Sequence, residues 1–97
     1  MEYRNEKLSA RFVVPDKITV RQQLAYFADC TSVANSNHIE QLWIGARSLI
    51  QEWECPDFAD MYFDLNKVDD PKIAEVIMWA ALEVKKYVNN LESIPKN

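Results

Sequence analysis

One glycine, Gly45, serves the whole 97-residue chain, where average usage near 7% would place about seven. Glycine is the residue that adopts unusual backbone conformations cheaply. A chain holding one of them has no means to build a glycine-rich phosphate cradle, a dinucleotide-binding turn or a nucleophile elbow. Turns must instead come from Pro15, Pro56, Pro71 and from Asn, Asp and Ser clusters. The expected outcome is mainly α: one compact three-helix domain spanning residues 1–97, with residues 1–8 and 93–97 loose.

Gly45 itself falls inside a helical pattern, about a quarter-turn from the centre of its apolar stripe, given 3.6 residues per turn. Glycine there costs roughly 1 kcal/mol against alanine. Close approach of another helix is the expected compensation, so Gly45 reads as a packing position.

Hydrophobic residues make up 48% of the chain and the aromatics include three Trp, four Tyr and four Phe, enough for one modest core. Net charge is −4 with no basic run, which argues against a nucleic-acid partner. No stretch approaches the length needed to cross a bilayer, and the opening MEYRNEKLSARF has no apolar signal segment. The two cysteines, Cys30 and Cys55, are too few for a disulfide framework, so the expectation is a cytosolic protein with reduced thiols.

Along the chain, Ala10, Phe12 and Val14 alternate with Arg11 and Val13, a short strand ended by Pro15. A strand needs a partner, and residues 61–65, where Met61, Phe63 and Leu65 alternate with Tyr62 and Asp64, are the internal candidate for a two-stranded ribbon. Thr19 with Gln22 forms a capping box, and Val20, Leu24 and Phe27 follow on one side of the helix it opens. A second helix is expected from Ile39 through Leu42, Trp43, Ala46, Leu49 and Ile50 to Trp53, stopped by Cys55-Pro56. Asp70-Pro71 opens a third, running to about Asn90, with a core stripe of Ile73, Val76, Ile77, Ala80, Val84, Tyr87, Val88 and Leu91. Met78, Trp79 and Leu82 lie roughly opposite that stripe, so this helix is either central in the fold or touching a partner.

No residue pattern points to catalysis. His38, the only histidine, starts the second helix with no nucleophile at fixed spacing, as an ordinary cap or surface residue would. Cys30, His38 and Cys55 lie eight and seventeen apart, matching no zinc pattern. A calcium loop from Asp64 to Glu75 fails because Val68 stands where an oxygen ligand is needed and Asp69 where glycine is required. No catalytic residue, cofactor or metal is therefore expected. What does stand out is acidity. Between Glu52 and Asp70 there are seven acids and one base, Lys67, a local charge of −6. This stretch is either a solvated connection or a surface that meets a basic partner.

Taken together, F-V-V-P-D-K-I-T-V-R-Q-Q-L-A-Y-F (12–27), L-W-I-G-A-R-S-L-I (42–50) with Trp53 and Cys55, D-L-N-K-V-D-D-P-K-I-A-E-V-I-M-W-A-A-L-E-V-K-K-Y-V (64–88) and the closing I-P-K-N resemble the tail assembly chaperones encoded in the tail-gene clusters of long-tailed bacteriophages. The resemblance covers most of the chain and contains no catalytic signature. It implies a non-enzymatic helical protein of the infected host's cytoplasm that self-associates and binds tape-measure or tail-tube protein. Met78, Trp79 and Leu82 are then the expected partner-binding residues, with Trp43 and Trp53 mainly in the core. Two further readings follow from a small, acidic, catalytically empty chain. One is an inhibitor of a host defence enzyme, acting through Asp57, Asp60 and Asp64; the other is a minor virion component joining head and tail.

Overall fold

The computed structural model describes residues 1–32, 37–56 and 60–92, and the side chains through residue 90. Three helices, α1 (Val20–Thr31), α2 (His38–Arg47) and α3 (Pro71–Glu92), combine with three strands, β1 (Glu2–Asn5), β2 (Ala10–Val13) and β3 (Glu52–Glu54). The strands form one antiparallel sheet in the order β1-β2-β3. The helical content is about half of the chain, so the strand part is larger than the sequence suggests.

The strand expected around Ala10 to Val14 is present as β2, and two other expectations are corrected here. Residues 1–8, expected to be loose, contain β1, which pairs Glu2 with Val13 and Asn5 with Ala10. The N-terminal amino group donates to Val14 O at 2.7 Å and to Asp16 Oδ1 at 2.8 Å, and buried Leu8 anchors the turn. Ser9 takes the left-handed φ of 53° in that turn, a conformation usually left to glycine. The other neighbour of β2 is β3, with Phe12 opposite Trp53, and not residues 61–65. The alternation in 61–65 is real, since Met61, Phe63 and Leu65 are half-buried and Tyr62 and Asp64 exposed. Its cause differs. Tyr62 Oη donates to Arg47 O at 3.3 Å and the Phe63 ring lies 6.4 Å from that of Trp43, so this segment is laid against α2.

The second helix is also shorter than its apolar stripe. It ends at Arg47 with Ser48 as C-cap, and Leu49 and Ile50 are buried beyond its end. Gln51 N–H then donates to Val13 O at 2.8 Å, which starts β3 and carries Trp53 into the sheet. The 3.6-residue spacing continued by coincidence past the point where backbone pairing with β2 took over.

The core joins the inner face of the sheet to α2 and α3. Phe12, Val14, Trp43, Val76, Val84 and Val88 are its largest fully buried side chains. Across the sheet Tyr3, Phe12 and Trp53 are register neighbours whose rings stack. Trp79 of α3 meets Phe12 edge-on at 5.1 Å, and Trp43 of α2 meets Trp53 at 5.4 Å. Tyr87 Oη donates to Pro15 O, closing α3 onto the chain leaving β2.

α1 packs on α2 at Gly45. A Cβ added there would collide with Cys30 Sγ and lie 3.1 Å from both the Tyr26 ring and the Tyr26 carbonyl oxygen. Contact this close explains why a helix interior tolerates the residue, as the sequence led us to expect. The capping box is formed: Gln22 N–H donates to Thr19 Oγ1 at 3.1 Å and Thr19 N–H to Gln22 Oε1 at 2.8 Å.

Candidate functional site

α1 presents its apolar row outward. Val20 is 72% exposed, Leu24 62% and Phe27 39%, so the one side on which their spacing of four and three stacks them is the outer one. The contact with α2 is made instead by Tyr26, which is 3% exposed, and by half-buried Cys30. Burial pushes the Cys30 thiol above its ordinary pKa, so it is a packing residue more than a nucleophile. The row itself lies about a quarter-turn from that contact at 100° per residue, which leaves it in solvent.

The three residues expected to bind a partner are divided by the structure. Met78 and Leu82, one turn apart on α3, are 46% and 37% exposed. Trp79 is half-buried and turned toward the sheet, edge-on to Phe12 and against the cluster of Leu8, Ala10, Cys55 and Val76. The two apolar sides of α3 thus come mostly from its central position, with one side on α2 and the other on the sheet.

Met78 borders a groove of ≈ 640 Å³ between the N-terminal parts of α2 and α3. Its walls are Ile39 of α2, Leu65 of the connection, and Ala74, Ile77 and Met78 of α3; Asn37, His38, Glu40 and Asn66 supply the polar rim. The segment 62–66 runs antiparallel to α2, from Arg47 past Trp43 to His38, which brings Leu65 and Asn66 to the groove. Sequence reading did not find this site, because nothing in the spacing of residues 61–65 says that they follow α2 backward.

Asp57 lies outside the described residues. Asp60 and Asp64 are exposed, and each accepts a backbone N–H, from Tyr62 and Asn66 respectively, both at 2.9 Å. Glu52 and Glu54 of the same acidic stretch are committed to the outer face of the sheet. There Arg11 reaches Glu2 at 2.5 Å, Glu54 at 3.3 Å and Glu52 at 3.5 Å. Hydrogen bonds from Arg11 and Arg4 hold the Glu2 carboxyl below the usual range. The acidic stretch is therefore two surfaces: one on the sheet, ion-paired to Arg11, and an open one over residues 60–70.

A second cleft, of ≈ 550 Å³, opens at the end of the sheet beside Arg4, Ser9, Trp53 and Pro56. The Arg11 guanidinium at its side is already engaged by the three carboxylates. Among the described residues, no three His, Cys, Asp or Glu side chains gather into a group able to hold a metal. No described helix is long and apolar enough to cross a membrane. No family model matches the chain, and no curated protein or solved structure matches it.

Proposed function

We propose that the chain is a non-enzymatic protein-binding module of the tail assembly chaperone kind, acting in the host cytoplasm by covering apolar surface on tape-measure or tail-tube protein until assembly. The observation that carries this reading is the outward row of α1. A 97-residue domain that leaves Val20 and Leu24 mostly in water, while burying a tyrosine on the same helix, has apolar surface to offer a partner. Met78 and Leu82 add a second exposed pair on α3. A long helical partner that exposes apolar faces before assembly fits such rows in the helix-in-groove manner.

Co-expression with the tape-measure protein tests it. The wild-type chain should hold that protein in solution, and Val20→Asp with Leu24→Asp should lose this capacity while keeping wild-type helicity. Unimpaired solubilisation by the double variant would sink the reading. Reversing charge at Asp60 and Asp64 should leave solubilisation intact. If that reversal instead abolished inhibition of a host defence enzyme, the acidic-inhibitor reading would replace it.

A further inference from the structure

We infer that the open edge of β1 pairs antiparallel with β1 of a second copy of this chain, joining the two sheets about a two-fold axis. In that dimer Tyr3 faces Tyr3 across the axis, and Glu2 of each copy lies opposite Arg4 of the other. The inference stands on the sheet and does not depend on the α1 row.

The phase of the β1-β2 ladder decides which backbone groups point outward. The Met1 amino group donates to Val14 O at 2.7 Å, and Val14 N–H donates back to Met1 O at 2.9 Å. Met1 and Val14 are thus a hydrogen-bonded pair, and such pairs alternate along an antiparallel ladder. Tyr3 stands opposite Phe12 and Asn5 opposite Ala10, so Tyr3 and Asn5 turn their peptide groups to β2. Glu2 and Arg4 turn theirs the other way. β1 is the end strand of the order β1-β2-β3, so those N–H and C=O groups lie along an edge that no described strand covers.

Only a register that sets outward-facing residues opposite each other can bond this edge to a copy of itself. Glu2 on Glu2 or Arg4 on Arg4 opposes like charges, which is destabilising. Glu2 on Arg4 opposes unlike charges, the two-fold axis repeats the pair, and both outward residues of each strand are engaged. The Arg4 side chain is 60% exposed and meets its own Glu2 through Nη2 at 2.9 Å, so donors of its guanidinium remain for a facing carboxylate. On the inner face the same register brings two half-buried Tyr3 rings together. It thereby continues the stack of Tyr3, Phe12 and Trp53 across the axis.

The other edge of the sheet is built differently. β3 is three residues long, Pro56 follows closely, and its alternate side chains are Glu52 and Glu54. Pairing that edge with itself on these residues sets glutamate against glutamate. Proline, shortness and charge are devices that keep an edge from pairing. β1 contains neither proline nor lysine, runs against β2 without a bulge, and alternates the sign of its charges. Pairing β1 with β3 of another copy would set Glu2 as well as Arg4 against glutamate, and such a head-to-tail contact is not self-complementary. Two four-residue edges make a small interface, in the class below roughly 1,200 Å² of total area, so the dimer forms weakly and reversibly.

The experiment is sedimentation of the untagged chain from about 10 μM to about 1 mM, a range that covers the dissociation constants of weak contacts. The wild-type chain should pass from monomer to dimer. Arg4→Glu and Glu2→Arg, each at an exposed position, should weaken the dimer at least about tenfold with unchanged helicity. An equimolar mixture of the two variants should dimerise again, since the introduced arginine then faces the introduced glutamate and Arg4 faces Glu2. In a mixture of isotope-labelled and unlabelled wild-type chains, Tyr3 Hα should show a cross-chain NOE to Tyr3 Hα, the two Cα atoms of a non-hydrogen-bonded pair being about 4.5 Å apart. Leu24→Asp should leave the dimer intact. A chain monomeric throughout the range, variants that dimerise like wild type, a mixture that stays monomeric, or a dimer lacking the Tyr3 contact would each overturn the inference. So would a dimer that Leu24→Asp dissolves, since the contact would then be the α1 row.

Discussion

α1 and α3 carry similar sequence patterns and have opposite fates. Each opens beside a short polar cap, and each carries a row of apolar residues at helical spacing. α3 lies between α2 and the sheet, so Val76, Ala80, Ala81, Val84 and Val88 are fully buried and even its reverse side sends Trp79 inward. Among the described residues α1 packs mainly on α2, through Tyr26 and Cys30, and leaves Val20, Leu24 and Phe27 outside. Periodicity shows that a helix has an apolar face; what covers that face depends on how many neighbours the topology gives it. A helix that packs mainly on one neighbour has surface left for a partner.

The largest expected effect sets the two helices directly against each other. Val84→Asp places a carboxylate at a fully buried position of α3. With no partner there to satisfy it, the cost should exceed about 4 kcal/mol, a large part of the 5–15 kcal/mol that stabilises a typical domain. Leu24→Asp on α1 makes the same kind of change in water and should move stability by no more than about 0.5 kcal/mol. Urea denaturation of both variants checks the pair. A strongly destabilised Leu24→Asp would mean that the α1 row is covered within the chain and has no free surface to offer.

Next comes the contact that holds α1 in place. Gly45→Ala should cost about 1–3 kcal/mol as an overpacking change, even though alanine is the better helix former by roughly 1 kcal/mol. The collision is with Cys30 Sγ, a side chain that can be removed, and with the Tyr26 carbonyl, which cannot. Cys30→Ala should therefore restore only part of the loss in the double variant. Full restoration, or a Gly45→Ala protein more stable than wild type, would show that α1 and α2 sit farther apart than described.

A smaller effect concerns the start of α1. Thr19→Ala removes one half of a formed capping box and should cost about 1 kcal/mol. Since α1 packs mainly on α2, the loss should appear first as faster amide exchange confined to residues 20–31, with α3 unaffected. Uniformly faster exchange in both helices would contradict the separation drawn between them.

These contrasts also show why part of the molecule was legible beforehand. Local chemistry reads directly: the Thr19–Gln22 box, the Asp70-Pro71 start of α3 and the packing role of Gly45 are each set by a few neighbouring residues. Pairing over long separations does not read. Nothing near Phe12 specifies that its partners are Tyr3 and Trp53, and the 61–65 segment alternates as well as any strand because a chain lying on a helix also has an inner and an outer side. Trp53 kept helical spacing with Ile39 yet belongs to β3, since Gln51 found a backbone acceptor in Val13. The groove was invisible for the same reason. Its walls come from three segments whose meeting is a tertiary fact.

The smallest expected effect lies within β2, where the division between covered and open sides recurs one residue apart. Phe12 points into the aromatic ladder and is fully buried, while Arg11 points outward among Glu2, Glu52 and Glu54. The Glu2 carboxyl is held below its ordinary pKa chiefly by the hydrogen bond from Arg11 and then by Arg4. A depressed carboxylate contributes stability that is fully present above its unfolded pKa and disappears as pH falls through the folded one. Wild-type stability should therefore decline slightly on acidification below the usual glutamate range. Arg11→Met keeps the stem along the sheet and removes the charge, leaving three carboxylates that repel one another. The variant should be slightly less stable than wild type at neutral pH, and the gap should close as acid protonates Glu2. Because the cluster is exposed, salt should narrow the gap too. Thermal midpoints measured from pH 7 down to 3 decide the matter: a gap that widens toward low pH would mean that Arg11 acts through packing, as Phe12 does on the other side of the strand.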